Sequence, residues 1–413
     1  MLKNGGQLLS LLYVFGALLA FAGAAPQNNG GNSVNQGGNG SNNQNGGNGN
    51  NNRGGNGNGN NSGGNNQNGG NNSNRGGNGN NNNQNGGNNN NRGNGNGNGN
   101  GNGNNQKGGR NQKGSARDRA VAKQPEGIST AKDGSTTLDT TVQINGLPIR
   151  YRVSAPAELF TQQSGVQGAK AQPNQQGNVR MNVLLHGDGG QSFFEFPNQG
   201  VRDNLMGVAV LSPDQNLKWG GSGNNRPDGA AHAQAVSDLI KDVMPQMVSF
   251  DPNNMAFTGV SGGSLLLSGF FMPNQMGNFT NASVLLNCGA MAPPGEFTRE
   301  SQAAMANTRI HFQSTSNELQ SLQKTIPEAI TAYQKVVQQA GVSQQQASNL
   351  QTVNNAPQGG HCEFDGQGFN SGIQLMADNY KNVMLDGGNG QVPGIGDVKQ
   401  AAGTTQLSFG QGK

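Results

Sequence analysis

From about residue 130 onwards, short apolar runs alternate with segments in which apolar residues recur about every 3.6 positions. The runs are typical of buried strands, and the longer spacing is typical of helices. Strands are predicted at 181–185, 208–211, 254–258, 284–288, 309–313 and near 350–353, and helices at 230–247, 262–272, 321–340 and 369–384. Buried strands that alternate with helices predict an α/β fold, in which a mostly parallel sheet has helices on both faces.

Before these strands, two segments alternate between polar and apolar residues. They are 136–144 and 147–153, and Asn145-Gly146 separates them. This pattern predicts a β-hairpin with a tight turn. We expect the hairpin to form an antiparallel edge of the sheet.

Composition divides the chain of 413 residues into unlike parts. Residues 26 to about 125 are almost wholly Asn, Gly, Gln and Ser, and they offer too few apolar side chains to offset the entropy lost on ordering. We interpret the chain as a signal peptide at 1–24, a disordered Asn/Gly-rich segment at 25–129, one folded domain at 130–388 and a flexible C-terminal tail at 389–413.

Charge is divided in the same way. The net charge is +4, but nine lysines and arginines against one aspartate between 26 and 125 give that segment +8. Lys3 adds one, so residues 126–413, which include the folded part, carry about −5. The Asn/Gly-rich segment contains no aromatic residue, so it lacks the stacking groups that accompany basic residues in nucleic-acid binding. We expect no nucleic-acid partner. A solvated spacer is the favoured role, and cell-wall association through its amide side chains is the alternative.

The N-terminus has the pattern of a secretory signal: Lys3, an apolar run from Leu8 to Phe15, and the small residues Ala22-Gly23-Ala24. An uncleaved anchor is the less favoured alternative, because the apolar run is shorter than the roughly 20 residues of a membrane span. The chain is therefore expected to be secreted, extracellular or in the cell wall, with no membrane partner after cleavage.

Two further features fit an exported protein. Asn278 and Asn281 begin the N-glycosylation sequons Asn-Phe-Thr and Asn-Ala-Ser. Cys288 and Cys362 are the only cysteines, and an oxidising compartment would let them pair; two separate buried thiols are the alternative.

The candidate chemistry centres on Gly259-Val260-Ser261-Gly262-Gly263, which joins a predicted strand to a predicted helix. A strand, G-x-S-x-G and a helix together form the nucleophile elbow pattern of α/β-hydrolases, which exposes the serine hydroxyl at a sharp turn. In a chain with 70 glycines, the alternative is a serine in an ordinary glycine-rich turn. Ser261 is the predicted nucleophile.

A serine nucleophile needs a base, and the chain has four histidines. His186 and His232 precede the elbow, and His311 lies within a predicted strand, where a packed histidine is the commoner explanation. His361 follows the last predicted strand, where the base of an α/β-hydrolase is expected. A structural loop histidine is the alternative for His361.

The oxyanion donors are expected from the amide of Gly262 and from the loop that follows the strand at 181–185, through Asp188 or Gly189. His186 in that loop is expected to shape it and to lie near the substrate. Trp219, in a glycine-rich loop, is expected to line the mouth of the pocket or simply to pack.

The orienting acid is the least defined member. Asn317 stands where hydrolases usually have aspartate, so the adjacent Glu318 is the first candidate, and Asp365 and Asp214 are the others. The competing interpretation of Glu318 is a helix-dipole partner in the first turn of the next helix. The chain could also have no orienting acid.

With these motifs, residues 134–388 resemble secreted fungal α/β-hydrolase-like proteins of the esterase type, related to feruloyl esterases and polyhydroxyalkanoate depolymerases. Some members of the family are labelled "cyclin-like F-box". The resemblance lies in Asn182–Phe194, Phe257–Gly269, Leu285–Gly289 and Gly359–Cys362. It implies an α/β-hydrolase-like fold and an esterase-type activity without a cofactor.

Two classes of function follow. The first is a secreted serine hydrolase that cleaves a small or polymeric carboxylic ester through an acyl-enzyme on Ser261, with no cofactor and no metal. The second is a non-catalytic surface or cell-wall binding protein on a hydrolase scaffold. A peptidase is a third reading.

Overall fold

The computed structural model describes residue 118 and residues 124–194, 202–223 and 225–410. The predicted signal peptide and nearly all of the predicted disordered segment lie outside the described residues. Within the described ranges, no helix is both long enough and apolar enough to cross a membrane.

Twelve strands lie in the described part of the chain. In order they are β1 (Gly127–Thr130), β2 (Thr136–Ile144), β3 (Leu147–Ala155), β4 (Arg180–Leu185), β5 (Leu205–Leu211), β6 (Asp251–Val260), β7 (Ser283–Asn287), β8 (Arg309–Gln313), β9 (Gln351–Asn354), β10 (Gln391–Val392), β11 (Gly396–Asp397) and β12 (Gln400–Ala401). Ten of them form one sheet in the order β1-β2-β3-β5-β4-β6-β7-β8-β9-β12, and β10 pairs with β11.

The helices connect these strands. They are α1 (Gly229–Asp238), α2 (Met244–Met247), α3 (Gly262–Leu266), α4 (Met272–Gln275), α5 (Arg299–Ala304), α6 (Gln320–Gln339), α7 (Gln344–Leu350), α8 (Phe369–Asp378) and α9 (Tyr380–Met384). A π-helical turn at Leu239–Val243 joins α1 to α2, and another at Leu267–Phe271 joins α3 to α4. Short 3-10 helices occur at Ala157–Leu159, Gln162–Ser164, Gln191–Phe193, Met276–Asn278 and Met305–Asn307.

The six central strands, from β5 to β9 in the spatial order, are parallel. The predicted hairpin is confirmed: β2 and β3 pair antiparallel about Asn145-Gly146, and β3 continues antiparallel onto β5. β12 adds a second antiparallel edge beside β9. The predicted mostly parallel α/β sheet is therefore present, with antiparallel strands at both edges.

Side chains of the parallel strands alternate between two cores, as the pleat of a strand requires. In β6, Phe257 packs in one core with α1 and α6, through Val236 and Tyr333. The neighbouring Ala256 packs in the other core with α8 and α9. Helices therefore cover both faces of the sheet, as predicted.

Both ends of the folded domain differ from the prediction. β1 begins at Gly127, inside the segment that was expected to be disordered, and pairs with β2. The expectation of a flexible tail from 389 is wrong for the residues described up to 410, because β12 pairs with β9 and the amide of Gly410 donates to the carbonyl of Ser316 at 2.7 Å. A strand of two residues, such as β12, is too short to show a pattern of polar and apolar residues in the sequence, and it forms only against a partner strand.

Candidate active site

The candidate site lies at the carboxyl ends of the parallel strands. The elbow (residues 259–263) begins with the last two residues of β6, and a loop that we call the oxyanion loop (residues 186–190) follows β4. Glu318 follows β8, and the histidine loop (residues 355–362) follows β9. Ligands of open α/β sheets bind at these ends, because loops from several strands meet there.

The elbow holds Ser261 in a backbone conformation that few non-glycine residues adopt, with φ 49° and ψ −111°. Its glycines permit the close approach of strand and helix: a Cβ on Gly263 would lie 2.1 Å from the carbonyl oxygen of Leu185. A Cβ on Gly259 would lie 2.5 Å from the amide nitrogen of Ser264. The turn therefore exposes the Ser261 hydroxyl at the end of β6, at a cost in backbone strain.

Three side chains form one chain of hydrogen bonds. The hydroxyl of Ser261 lies 2.9 Å from Nε2 of His361, and Nδ1 of His361 lies 2.5 Å from Oε1 of Glu318. With Glu318 ionised, Nδ1–H donates to the carboxylate, which leaves Nε2 free to accept the serine proton. This is the connectivity of nucleophile, base and orienting acid.

Glu318 is fully buried, whereas the side chain of His361 is 21% exposed. Oε1 of Glu318 also accepts a hydrogen bond from the amide of Leu319 at 2.9 Å. The carboxylates of the other two candidate acids accept hydrogen bonds from nearby backbone amides in turns. Asp214 accepts from the amides of Asn216 and Lys218. Asp365 accepts from the amides of Gln367 and Gly368, which precede α8. Of the three carboxylates considered from the sequence, Glu318 is the one that contacts the imidazole.

The histidine loop is held by long-range contacts. A disulfide joins Cys362 to Cys288, which follows β7. The hydroxyl of Thr315 donates to the carbonyl of Gly360 at 3.1 Å, and the side-chain amide of Asn317 donates to the carbonyl of Gln358 at 2.5 Å. The residue that stands in place of the usual aspartate thus anchors the loop of the base.

Two amides are free to hold an oxyanion. In the oxyanion loop, the amide of Gly187 donates to Ser192, that of Gly189 to the carbonyl of Leu217 at 3.0 Å, and that of Gly190 to Gly187. Within the described residues, the amide of Asp188 has no acceptor, and neither does that of Gly262 at the start of α3.

The two free amides are also neighbours. The nitrogen of Asp188 lies 3.1 Å from the place a Cβ on Gly262 would occupy. Asp188 and Gly262 are therefore the available pair. The expectation for Gly189 is wrong, because its N–H is already used.

His186 and Trp219 do not line a pocket mouth. Both are fully buried, and their rings pack 5.2 Å apart between centroids. Nδ1–H of His186 donates to the carbonyl of Gly187, and Nε2 accepts from the amide of Ser212. Burial lowers the pKa of His186 to about 4, so the ring is neutral and acts as a brace inside the oxyanion loop. The expected substrate contacts of both residues are wrong, because neither side chain is exposed. The structure agrees with the other expectations, that Trp219 simply packs and that His186 shapes the oxyanion loop.

The remaining histidines are structural. His311 is fully buried in β8, where Nδ1 lies 2.9 Å from the hydroxyl of Thr352, and burial lowers its pKa to about 4. His232 accepts a hydrogen bond from the amide of Gly220, and burial lowers its pKa as well. Neither contacts Ser261 in the described structure, which agrees with the interpretation of His311 as a packed histidine.

Phe369 and Arg226 lie at the site, although the sequence did not predict them there. The ring of Phe369 lies 6.0 Å from that of His361, and its tip would be 3.5 Å from a Cβ on Gly187, so it closes one side of the site. Arg226 forms an ion pair with Asp188 at 2.9 Å. The signal for Phe369 was its position at the start of the helix that follows His361; nothing in the sequence singled out Arg226.

A separate cleft of about 880 Å³ is lined in part by the histidine loop. Gln358, Phe364, Asp365 and Leu375 contribute to its walls, and neither Ser261 nor His361 is part of its lining.

One group of potential metal ligands occurs in the described part of the chain: Cys288, His361 and Cys362. Both sulfurs are joined in the disulfide, so they are not available as thiolate ligands.

Comparison with known proteins gives partial likenesses of fold. The chain matches no protein-family model and no curated protein sequence. Among solved structures it resembles a thermostable esterase (13% identity, TM-score 0.34), with 59% of each chain covered, so the match spans less than two thirds of that esterase. It also resembles a mutant feruloyl esterase module from Clostridium thermocellum complexed with sinapinate (12% identity, TM-score 0.37, 56% of this chain and 84% of that one). A third is a predicted CIB-like hydrolase from Thermoplasma acidophilum (11% identity, TM-score 0.34, 60% and 100%).

Proposed function

We propose that this chain is a serine hydrolase that cleaves carboxylic esters through an acyl-enzyme on Ser261. The observation that carries the proposal is the continuous hydrogen-bonded path from Ser261 through His361 to the buried Glu318. An imidazole between a strained serine and a buried carboxylate has a clear chemical use as a general base. The motif resemblance to esterase-type proteins favours an ester over a peptide bond.

In this mechanism, Oγ of Ser261 attacks the ester carbonyl and Nε2 of His361 takes the hydroxyl proton. The amides of Gly262 and Asp188 donate to the oxyanion of the tetrahedral intermediate. The carbon–oxygen bond of the ester then breaks, and His361 returns the proton to the departing alcohol. Water, activated by the same imidazole, releases the acid and restores Ser261.

The test is hydrolysis of p-nitrophenyl acyl esters and methyl ferulate, with a p-nitroanilide of the same acyl group as the amide substrate. We expect ester cleavage that falls by about 10⁶-fold in kcat in Ser261→Ala. Ser348→Ala, on α7 and away from the site, is the matched control and should retain full activity. Faster cleavage of the anilide than of the esters would favour the peptidase, and a folded wild-type protein that cleaves neither would favour a binding scaffold.

We propose further that the protein is exported and glycosylated. The N-terminal apolar pattern, the pairing of the only two cysteines and the two sequons support this. Asn278 and Asn281 are both exposed, and Asn281 lies in a turn with φ 52°. Expression with secretion should give a mature N-terminus close to residue 25 and glycan on Asn281; an intact N-terminus on cell-retained protein would contradict export.

Wall association through residues 25–129 and membership of the fungal esterase-type family stay predictions. A protein lacking residues 26–123 should be released from cell walls if the segment is a tether. Retention of the truncated protein would contradict that role.

A further inference from the structure

We propose that Arg226 is a positioning residue of the oxyanion site, and that its charge offsets a carboxylate placed beside the oxyanion. This inference rests on the proposed function. One of the two free amides belongs to an aspartate, Asp188, and the side chain of that aspartate lies beside the same site.

The carboxylate of Asp188 lies against the helix start that would hold the oxyanion. A Cβ on Gly262 would be 2.0 Å from Oδ1 of Asp188 and 3.1 Å from its backbone nitrogen. The side chain is about one third exposed, so it is partly shielded from water. A glycine at 262 is what allows the carboxylate to come this close.

Such a position is electrostatically unfavourable for the proposed reaction. Negative charge develops on the carbonyl oxygen as the tetrahedral intermediate forms, and a nearby carboxylate repels it. The repulsion is stronger where water is partly excluded. An uncompensated Asp188 would therefore raise the barrier that its own amide helps to lower.

Arg226 supplies the compensating charge in a fixed geometry. Its two terminal nitrogens donate to the two oxygens of Asp188, at 3.2 and 2.9 Å. One of them also donates to the carbonyl of Trp219 at 2.5 Å, and the Arg226 side chain is 9% exposed. A bidentate ion pair with a nearly buried guanidinium restricts the rotamers of both partners and so fixes the Asp188 backbone.

The charge role and a purely structural role predict opposite results when both partners are changed. Arg226→Met leaves the Asp188 carboxylate unpaired beside the oxyanion, and Asp188→Asn in the same chain removes that carboxylate. If charge matters, the second change rescues the first. If Arg226 only braces the loop, the second change cannot restore the brace, and the double variant is no better than Arg226→Met.

The experiment is the rate at which a fluorophosphonate probe modifies Ser261 in the full chain. Oγ of Ser261 bonds to phosphorus, fluoride leaves, and His361 takes the hydroxyl proton, so the reaction uses the oxyanion site without needing a known substrate. We expect Arg226→Met to react about 10²-fold more slowly than the wild type. Arg226→Met/Asp188→Asn should recover at least about ten-fold of that loss, and Arg226→Lys should lie between the wild type and Arg226→Met.

Asp188→Asn alone tests the same charge effect with Arg226 in place, should Arg226→Met fail to fold in thermal unfolding. It leaves the guanidinium with an uncompensated positive charge beside the oxyanion, so we expect a reaction a few-fold faster than in the wild type. A slower reaction of Asp188→Asn, or no rescue in the double variant, would overturn the charge role. Arg226→Met as fast as the wild type would overturn the inference as a whole. An unreactive wild-type Ser261 would instead overturn the proposed function, and this inference with it.

Discussion

The elbow and the histidine loop meet at the same hydrogen bond but are built in different ways. The elbow depends on the absence of side chains: because Gly259 and Gly263 have no Cβ atoms, strand and helix approach within van der Waals distance. The histidine loop depends on contacts with residues distant in sequence. These are the disulfide to Cys288 and the hydrogen bonds from Thr315 and Asn317.

The elbow therefore depends on its local sequence, whereas the histidine loop depends on contacts that exist only in the folded domain. A glycine change should damage the elbow by a direct clash. A change to the histidine loop should act through the position of the imidazole or through the stability of the whole domain. Substitutions in the two regions separate these routes.

Among changes to the residues that support Ser261, the largest effect is expected at the acid. Glu318→Gln removes the charge that orients and stabilises the imidazolium while keeping the side-chain volume, so kcat should fall by about 10⁴-fold with the fold intact. Steady-state ester hydrolysis measures this. Glu328→Gln, on the exposed face of α6, is the control. An equal, small effect of both variants would show that Glu318 is only a helix-dipole partner.

Removing the disulfide should have the next largest effect. Cys288 and Cys362 are 74 positions apart, and opening a loop of this length lowers the free energy of unfolding by about 4 kcal/mol. Denaturant unfolding of the Cys288→Ser/Cys362→Ser variant measures the loss. Unchanged stability with unchanged activity would mean that the hydrogen bonds alone position the histidine loop.

A methyl group in the elbow should cost about 3 kcal/mol of stability. In Gly263→Ala, the new Cβ would meet the backbone oxygen of Leu185 at 2.1 Å, so strand or helix must shift. Gly295→Ala is the matched control, because its Cβ would meet nothing within 4 Å. Thermal unfolding compares the two, and similar melting temperatures would contradict the steric account of the elbow.

The smallest effect is expected in how the free energy of unfolding depends on pH. Burial lowers the pKa of His311 to about 4, below its ordinary 6.5, so the folded state binds fewer protons than the unfolded state between these values. Its stabilising contribution is therefore present above pH 6.5 and is lost as the pH falls, by about 2 kcal/mol between pH 7 and 5.

His311→Gln should flatten this dependence, since an amide can keep hydrogen bonds without titrating. Denaturant unfolding at a series of pH values measures it. A slope in the variant as steep as in the wild type would assign the acid sensitivity to other groups, such as His186.

The sequence predicted the parts of the fold that have a period or a turn signal. The hairpin about Asn145-Gly146, the parallel strands and the elbow all follow local rules. Chain order selected His361 as the base, because it follows the last predicted parallel strand. Glu318 was only the first of three candidate acids, and its contact with the imidazole became visible only in the structure.

The rest depended on contacts between distant residues. Whether Gly189 or Asp188 offers a free amide is decided by the carbonyl of Leu217, and the burial of Trp219 is decided by how its loop folds. The ion pair of Asp188 with Arg226 spans 38 positions and has no motif. Such features become visible only with the fold.

The most direct test of the account is to find where a fluorophosphonate bonds to the folded protein. Intact mass followed by peptide mapping should show one adduct per chain, on Ser261, with none in Ser261→Ala and a strongly reduced rate in His361→Gln. A folded wild-type protein that gains no adduct, or gains it on another residue, would contradict the claim that the elbow serine and the distant imidazole work as one nucleophile.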